Sequence, residues 1–265
     1  MGQKYSALFN QTFFLPQPAF TEEELGDQSG KVVIITGGYA GIGLALAHIL
    51  YVANATIYLA GRSPSKASTA IEELKNASPE SKGRVEFLHL DLADLPTIKP
   101  AVQSFFAKES RLDVLVNNAG IMWPPEGSRS VQGYDLQVAT NVYGPFLLTL
   151  LLHPLLAETA KGSDEGKSFN PGNLVTDLTR HASWIQKLSL KPLLYPVKFG
   201  AYTELFAGWS PEITKEKSGC YVLPWGRIGG YNSGLEKAVK RVEDGGEGKA
   251  EKLWEVCWEI CRPYM

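Results

Sequence analysis

Short runs of branched apolar residues alternate with longer stretches of mixed apolar and polar residues along the first part of the chain. This pattern predicts buried strands at residues 32–35, 55–60, 85–90 and 113–117, and helices at residues 44–53, 66–75, 97–108 and 136–152. An alternation of strands and helices predicts a parallel sheet with right-handed crossover connections. The expected fold class is therefore α/β, with a doubly wound parallel sheet.

A glycine-rich turn follows the first predicted strand. Gly37, Gly41 and Gly43 form a G-x-x-x-G-x-G spacing after Thr36, with Ile42 between the last two glycines as a further candidate binding residue, and the apolar helix at 44–53 follows. At such a strand-to-helix turn, glycines let the backbone approach a phosphate, which the helix N–H groups and the positive end of the helix dipole then hold. The turn predicts a dinucleotide site. A tight connection with no ligand is the structural alternative, and the spacing differs from the generic G-x-G-x-x-G fingerprint.

Polar residues also follow the third and fourth predicted strands. The carboxyl ends of parallel strands meet at one edge of a sheet, and ligands bind at that edge. Helix capping and turn formation are the structural alternatives for these residues. The residues concerned are Asp91 and Leu92 after the third strand, and Asn117, Asn118, Ala119 and Gly120 after the fourth.

In order and spacing, these motifs resemble the short-chain dehydrogenase/reductase family over residues 30–157. The resemblance implies a Rossmann-type sheet and an alcohol or carbonyl oxidoreductase that uses a nicotinamide nucleotide. It implies that Asp91 and Leu92 mark the adenine pocket, and that residues 117–120 form the floor of the cofactor cleft. Retinol-dehydrogenase-like and fungal secondary-metabolism reductases are the most similar members.

The resemblance also implies roles for three further residues. Asn141 corresponds to a catalytic asparagine that holds a water in the proton relay, and a purely structural hydrogen bond is the alternative. Leu174 and Thr176, in the pattern Pro-Gly-x-Leu-x-Thr, resemble residues that contact the nicotinamide amide. A turn followed by a helix N-terminus is the alternative for that pair.

The end of the second predicted strand indicates which nucleotide is bound. Arg62 follows this strand and Lys66 lies four residues later, whereas residues 44–71 contain no Asp or Glu. An acidic side chain near this point accepts the ribose hydroxyls of NAD, whereas an arginine accommodates the 2′-phosphate of NADP. The sequence therefore predicts NADP(H). Two ordinary solvated charges at the start of a helix are the alternative.

A departure from the family pattern lies between the fourth helix and the motif Asn170-Pro171-Gly172. Only residues 157–169 separate them, which is too short for two strands and a helix, because one βαβ unit takes about thirty residues. In addition, no tyrosine is followed by a lysine four positions later, and Tyr195 and Lys198 come nearest. The fold is expected to lack two strands, one helix and the catalytic Ser, Tyr and Lys. Residues 218–225 would then form a last strand without neighbours.

The chain is divided as follows. Residues 1–30 are expected to form an irregular arm, and residues 31–265 a single Rossmann-type domain. Within it, residues 31–157 form the cofactor-binding half, 158–169 a shortened junction, and 170–265 the substrate side and C-terminal helix. An apolar stretch at 184–195 suits a lid over a small hydrophobic substrate. A helical stripe is expected to pack in the core, consisting of Leu253, Trp254, Cys257, Trp258 and Cys261.

Composition narrows the function classes. The 26 Lys and Arg are dispersed and nearly balanced by 28 Asp and Glu, so nothing indicates a nucleic-acid partner. The three cysteines form no C-x-x-C pair, so neither a disulfide framework nor a metal site is indicated. Neither a signal peptide nor a stretch of about twenty apolar residues is found, so a cytoplasmic location is expected. Gly2 fits a myristoylation pattern, with an ordinary tail as the alternative.

Two function classes remain open from the sequence. In the first, the chain is an NADP(H)-dependent oxidoreductase acting on a small hydrophobic alcohol or carbonyl compound. In the second, it is a catalytically inactive, shortened relative that binds only a nucleotide or a partner. A homo-oligomer is compatible with both classes.

Overall fold

The computed structural model describes residues 15–160, 168–169, 174, 194–230 and 233–265. Within these residues, helices and strands alternate along the first half of the chain, as predicted. The strands are β1 (Val32–Thr36), β2 (Thr56–Gly61), β3 (Arg84–His89), β4 (Val114–Val116), β5 (Ser168–Phe169), β6 (Tyr221–Leu223) and β7 (Arg227–Gly229). The helices are α1 (Glu22–Leu25), α2 (Gly41–Val52), α3 (Pro64–Ala77), α4 (Ile98–Phe106), α5 (Leu136–Thr159), α6 (Val197–Trp209), α7 (Ser233–Val239) and α8 (Lys249–Cys261).

Four parallel strands form the central sheet in the order β3-β2-β1-β4. Every residue of β1 is buried, because the strand has a neighbour on each side and helices on both faces. Val33 and Ile35 belong to one apolar cluster, whereas Val32 and Ile34 belong to the other. This is the two-residue alternation of a strand buried on both faces. The predicted α/β parallel sheet is confirmed.

The two apolar clusters place helices on opposite faces of the sheet. On one face, α2 contributes Leu46 and Leu50, and α6 contributes Leu205 and Phe206. On the other face, α4 and α5 supply the buried side chains, Phe105 and Leu147 among them. Because helices cover both faces, the polar edge at the carboxyl ends of the strands remains accessible for binding.

The described part of the N-terminal arm, residues 15–30, contains a short helix and is not wholly irregular. Thr21 caps α1 through a capping box with Glu24, and the side chains of Phe20 and Leu25 are buried in the α2 and α6 cluster. The arm thus packs against the same face of the domain as α6.

A second, three-stranded sheet lies outside the central one, in the order β5-β6-β7. Strand β6 lies within the strand predicted at 218–225, and it pairs in parallel with β5 and antiparallel with β7. The expectation that this strand has no neighbours was therefore wrong, as was its being the last strand. The reason is the tight turn after Leu223, in which Trp225 and Gly226 take positive φ angles of 70° and 93° and reverse the chain into β7.

The apolar stripe on α8 packs in the core only in part. Cys257 and Cys261 are buried, but the side chains of Leu253, Trp254 and Trp258 are 55%, 57% and 38% exposed. The helix packs against α5, where the ring of Trp254 meets that of Phe146 edge-on, with 4.9 Å between the ring centres. The prediction of core packing was therefore wrong for these three residues, because helical periodicity shows which residues share a face but not how wide a contact covers it.

Helix α5 is 24 residues long and, by length and composition alone, apolar enough to cross a membrane. In that sense the expectation that no such stretch occurs was wrong. The core helix of a globular protein passes the same test, so this is weak evidence for a membrane span. Leu147, Leu148 and Leu152 are fully buried in the cluster that also contains α4, so one side of this helix packs against the domain.

Candidate functional site

A cavity of about 410 Å³ opens at the carboxyl ends of the four parallel strands. The turn after β1, the ends of β2 and β3, and the loop after β4 line it. A volume of this size is within the range of small-molecule and cofactor sites. Ten of the residues predicted from the sequence line this cavity: Gly37, Gly41, Ile42, Arg62, Lys66, Asp91, Leu92, Asn118, Ala119 and Gly120.

The glycine turn has a shape that only glycine permits. Gly37 and Gly41 have φ angles of 67° and 55°, in the left-handed region that favours glycine. A Cβ on Gly43 would lie 2.6 Å from Nδ2 of Asn118 and 3.0 Å from the carbonyl oxygen of Gly37. At the start of α2, Ala40 provides no side-chain cap, so the first N–H groups of the helix are available to a ligand. This donor set suits a phosphate.

Hydrogen bonds hold the floor of the cavity to the turn. The side-chain amide of Asn118 donates to the carbonyl oxygen of Thr36 at 2.7 Å, and the backbone N–H of Ala119 donates to Oγ1 of Thr36 at 2.9 Å. The Thr36 hydroxyl in turn donates to the carbonyl oxygen of Val116 at 3.3 Å. Asn118 therefore fixes the spacing between the ends of β1 and β4. Asn117 lies outside the cavity and donates to Oγ1 of Thr149 at 3.0 Å.

Replacing Gly43 with alanine is expected to weaken nucleotide binding by at least about tenfold and to lower the free energy of unfolding by about 1–3 kcal/mol. The new methyl group displaces Asn118 and breaks its bond to Thr36. Titration calorimetry with NADPH and denaturant unfolding measure the two effects. Gly208→Ala on α6 is the control, because its Cβ would meet only Val114 at 3.8 Å. Equal binding by the Gly43 variant and the control would contradict the role of the turn.

The positive charge of the cavity lies at the end of β2. Arg62 and Lys66 are exposed there, and neither takes part in an ion pair among the described residues. On the side nearest β3, Oδ1 of Asp91 accepts a hydrogen bond from the N–H of Ala93 at 2.9 Å, so this carboxylate also shapes its own turn. The two cations are therefore free to bind an anionic ligand.

Asn141 has a structural partner. Its Oδ1 accepts from the N–H of Ile121 and its Nδ2 donates to the carbonyl oxygen of the same residue, both at 2.9 Å. Asn141 lies in a π-helical turn, Ala139–Tyr143, within α5. This pair of bonds explains a poor helix former in an apolar helix, and it anchors Ile121, which lines the cavity although Asn141 does not. The role of Asn141 in holding a water stays a prediction.

Of the two residues predicted to contact the nicotinamide amide, only Leu174 is described, and it is not brought to this cavity. Leu174 is buried, pairs with Tyr195 in an isolated bridge, and contacts the face of α6 at Gly200. It does not line the cavity. Thr176 lies outside the described residues, as does most of the apolar stretch at 184–195.

Neither member of the nearest pair, Tyr195 and Lys198, lines the cavity. The ring of Tyr195 packs edge-on against that of Trp225, with 4.8 Å between the ring centres, and Lys198 binds to the N-terminal arm. Lys198 donates to Oε1 of Glu22 at 2.6 Å, and its ammonium lies 5.4 Å from the ring centre of Tyr202. The hydrogen bond to Glu22 raises the pKa of Lys198, and burial raises the pKa of Tyr202. A proton-transferring phenol needs its pKa lowered instead. None of these groups lines the cavity, so the cluster fastens the N-terminal arm to α6.

Sequence reasoning missed several residues that line the cavity. Tyr39 lies between the glycines, and its hydroxyl accepts from the N–H of Arg62 at 3.1 Å. Ser63 caps α3 next to the two cations. Both could have been found from their positions in the sequence, because Tyr39 lies between Gly37 and Gly41 and Ser63 follows Arg62. The other missed residues are Thr36, Ala40, Ala60, Gly61, Leu90, Ile121 and Thr140.

Comparison with known proteins identifies similar chains. The sequence model of the short-chain dehydrogenase family matches residues 31–163. A short-chain dehydrogenase/reductase of Phomopsis amygdali is 38% identical over 319 aligned positions, which cover 95% of this chain and 96% of that protein. One from Armillaria gallica is 33% identical over 324 positions, covering 100% of both. Because this chain has 265 residues, at least 59 of those 324 positions hold no residue of this chain.

Solved structures are similar in fold. A 3-oxoacyl-(acyl-carrier-protein) reductase from Agrobacterium tumefaciens with NADP bound has a TM-score of 0.61 and 17% identity, over 79% of this chain and 98% of that one. A blue fluorescent protein from a metagenomic library in complex with NADPH has a TM-score of 0.57 and 21% identity, over 73% and 96%. At these identities the likeness shows the fold alone.

Proposed function

Because the chain belongs to the short-chain dehydrogenase family of oxidoreductases, we propose that it binds NADP(H) in the cavity at the carboxyl ends of β1 to β4. We further propose that its substrate is an alcohol or carbonyl group of a small hydrophobic molecule. One observation carries the nucleotide assignment. An uncapped helix start within a glycine turn and two unpaired cations line the same cavity, in the described part of the chain.

Each part of the cavity has a chemical counterpart in the nucleotide. The turn from Gly37 to Gly43 and the N–H groups of α2 would hold the pyrophosphate, since both favour negative charge. Arg62 and Lys66 would hold the 2′-phosphate, where Arg62 can form two parallel hydrogen bonds. Asp91 would accept from the adenine amino group. When bound, the nicotinamide supplies the hydride.

NADPH is expected to raise the melting temperature of the chain by about 5–10 °C at a concentration of 100 times Kd. A ligand that binds only the folded state adds about 2.7 kcal/mol at that ratio, and each kcal/mol shifts the melting temperature of a domain of this size by about 2–4 °C. Differential scanning fluorimetry measures the shift. The Gly43→Ala variant is the control, because at least about tenfold weaker binding should reduce the shift to about half or less at the same NADPH concentration. The absence of any shift at millimolar NADPH would contradict the proposal.

A second candidate is a protein that binds the nucleotide without turning it over. Two observations favour it. Lys198 is engaged by Glu22 rather than placed in the cavity, and relatives contain at least 59 aligned positions that this chain lacks. NADPH oxidation across a panel of ketones and aldehydes separates the two candidates. Oxidation with one compound supports the enzyme, whereas tight binding without oxidation supports the second candidate.

A further inference from the structure

Tyr39 occupies space at the end of β2 that another side chain would need. A Cβ on Gly61 would lie 2.5 Å from both Cε1 and Oη of Tyr39, and 2.8 Å from Cζ. Such distances are far below van der Waals contact, so position 61 accepts a side chain only when the ring moves away. Nucleotide folds of this type place the acidic residue that accepts the ribose hydroxyls of NAD at about this point, about 20 residues after the glycine motif. In the position that it takes here, the ring of Tyr39 therefore occupies the space that such a residue would need.

The hydroxyl of Tyr39 accepts one hydrogen bond, and its proton remains available to be donated in another. Its oxygen accepts from the backbone N–H of Arg62 at 3.1 Å. A phenol is both an acceptor and a donor, and among the hydrogen bonds of the described residues its proton is given to no protein acceptor. Tyr39 is half-buried and lines the cavity together with Arg62 and Lys66. Its proton is therefore available to an anionic ligand beside those two cations.

The backbone N–H groups at the start of α3 are less available to an anionic ligand than the Tyr39 proton is. Oγ of Ser63 accepts from the N–H of Lys66 at 3.4 Å and so caps the helix. This bond occupies the N–H of Lys66, and Pro64 has no N–H, so fewer backbone donors are available here than at α2. The side-chain donors that line this part of the cavity are the Arg62 guanidinium, the Lys66 ammonium and the hydroxyls of Tyr39 and Ser63.

We propose that Tyr39 determines the specificity of this site for a 2′-phosphorylated adenosine. Its hydroxyl donates a hydrogen bond to the 2′-phosphate next to Arg62, and its ring keeps position 61 free of the carboxylate that would accept unphosphorylated ribose. The inference rests on the proposed function, because it assumes that the adenosine end of the nucleotide lies at Arg62. Under this proposal, Tyr39 acts together with Arg62 and Lys66 in distinguishing NADP(H) from NAD(H).

The first test uses Tyr39→Phe, which keeps the ring and removes the hydroxyl. Binding of adenosine 2′,5′-bisphosphate and of 5′-AMP is measured by titration calorimetry, so no turnover is needed. We expect affinity for the bisphosphate to fall about tenfold, because a hydrogen bond to a charged group is lost, and affinity for 5′-AMP to change less than twofold. Equal changes for both ligands, or no change for either, would overturn the inference.

A purely positioning role of the hydroxyl is tested in the Arg62→Ala background. If the hydroxyl contacts the phosphate itself, Tyr39→Phe lowers affinity for the bisphosphate further when Arg62 is absent. If it only orients Arg62, the second substitution has no effect, which overturns the direct contact. The single Arg62→Ala variant tests the proposed function separately. If it no longer prefers the bisphosphate over 5′-AMP, the 2′-phosphate lies at Arg62 whatever the role of Tyr39.

The exclusion by the ring is tested with Gly61→Asp alone and together with Tyr39→Ala. We expect the double variant to bind NADH more tightly than Tyr39→Ala does, because the new carboxylate can accept the ribose hydroxyls. Gly61→Asp alone is expected to gain no affinity for NADH or to melt at a lower temperature. Recovery of the melting temperature when Tyr39→Ala is added would also support exclusion of the carboxylate by the ring. An NADH gain in the single variant equal to that in the double variant would overturn it.

Discussion

Replacing Arg62 with alanine is expected to weaken NADPH binding about 100-fold and to leave NADH binding within twofold. The guanidinium is exposed at the end of β2 and forms no ion pair among the described residues, so it is free to make a bidentate contact with the 2′-phosphate. Two charge-assisted hydrogen bonds of about 1.5 kcal/mol each account for this factor, because 1.4 kcal/mol corresponds to tenfold. Titration calorimetry with each nucleotide measures the two affinities.

The matched control for this experiment is Lys75→Ala, which removes a positive charge from the other end of α3, outside the cavity. It should leave both affinities unchanged. The NADPH advantage of the native chain should also shrink as salt is raised, because exposed charges are screened. If Arg62→Ala weakens NADH as strongly as NADPH, the assignment of the 2′-phosphate to this residue fails.

Glu204→Gln is expected to flatten the dependence of stability on pH and to raise the free energy of unfolding at pH 8 by about 2–4 kcal/mol. Glu204 is 2% exposed on α6, and neither of its carboxylate oxygens has a hydrogen-bond partner within the described residues. Burial raises its pKa from the ordinary value of 4.5 to about 8. The folded chain therefore holds the proton more tightly than the unfolded chain does.

The sign of the effect follows from that difference. Well below pH 4.5 the group is protonated in both states and makes no pH-dependent contribution to stability. As the pH rises to about 8, the native chain loses up to about 1.4 kcal/mol of stability per pH unit. Urea unfolding from pH 5 to pH 8 measures the slope. Exposed Glu212→Gln is the control and should keep it, and a slope that persists unchanged in Glu204→Gln would contradict the account.

The position of Glu204 explains why the carboxylate has no partner. Gly200 and Gly208 lie four residues before and after it, on the same face of α6. A Cβ on Gly200 would approach the side chain of Ile42 at 3.2 Å, and one on Gly208 would approach Val114 at 3.8 Å. Glu204 thus lies on the face of α6 that packs in the apolar cluster with α2.

The first half of the fold follows from local sequence patterns. Branched apolar runs define β1 to β4 to within two residues, and the intervening helices have the expected order. The glycine turn is predictable for the same reason. The positive φ angle at Gly37 and the close contacts at Gly43 both require glycine, so they produce a recognisable glycine spacing in the sequence. Such local patterns predict the conformation of the residues in which they occur.

The remaining features depend on contacts between distant residues. Nothing in the sequence around Tyr39 shows that its ring lies against Gly61, since 22 positions separate them. Likewise, the hydrophobic pattern of β6 does not show that β5 and β7 pair with it. The exposure of Trp254 on α8 has the same origin, because an apolar stripe does not report the width of the surface that it meets.

The end of the central sheet at β4 has a practical consequence. Within the described residues β4 pairs only with β1, so its outer peptide groups have no ladder partner. An unpaired edge can recruit a strand from another molecule and so start aggregation. Its length of three residues limits each such contact. A purified sample is therefore expected to stay monodisperse for a shorter time as its protein concentration is raised.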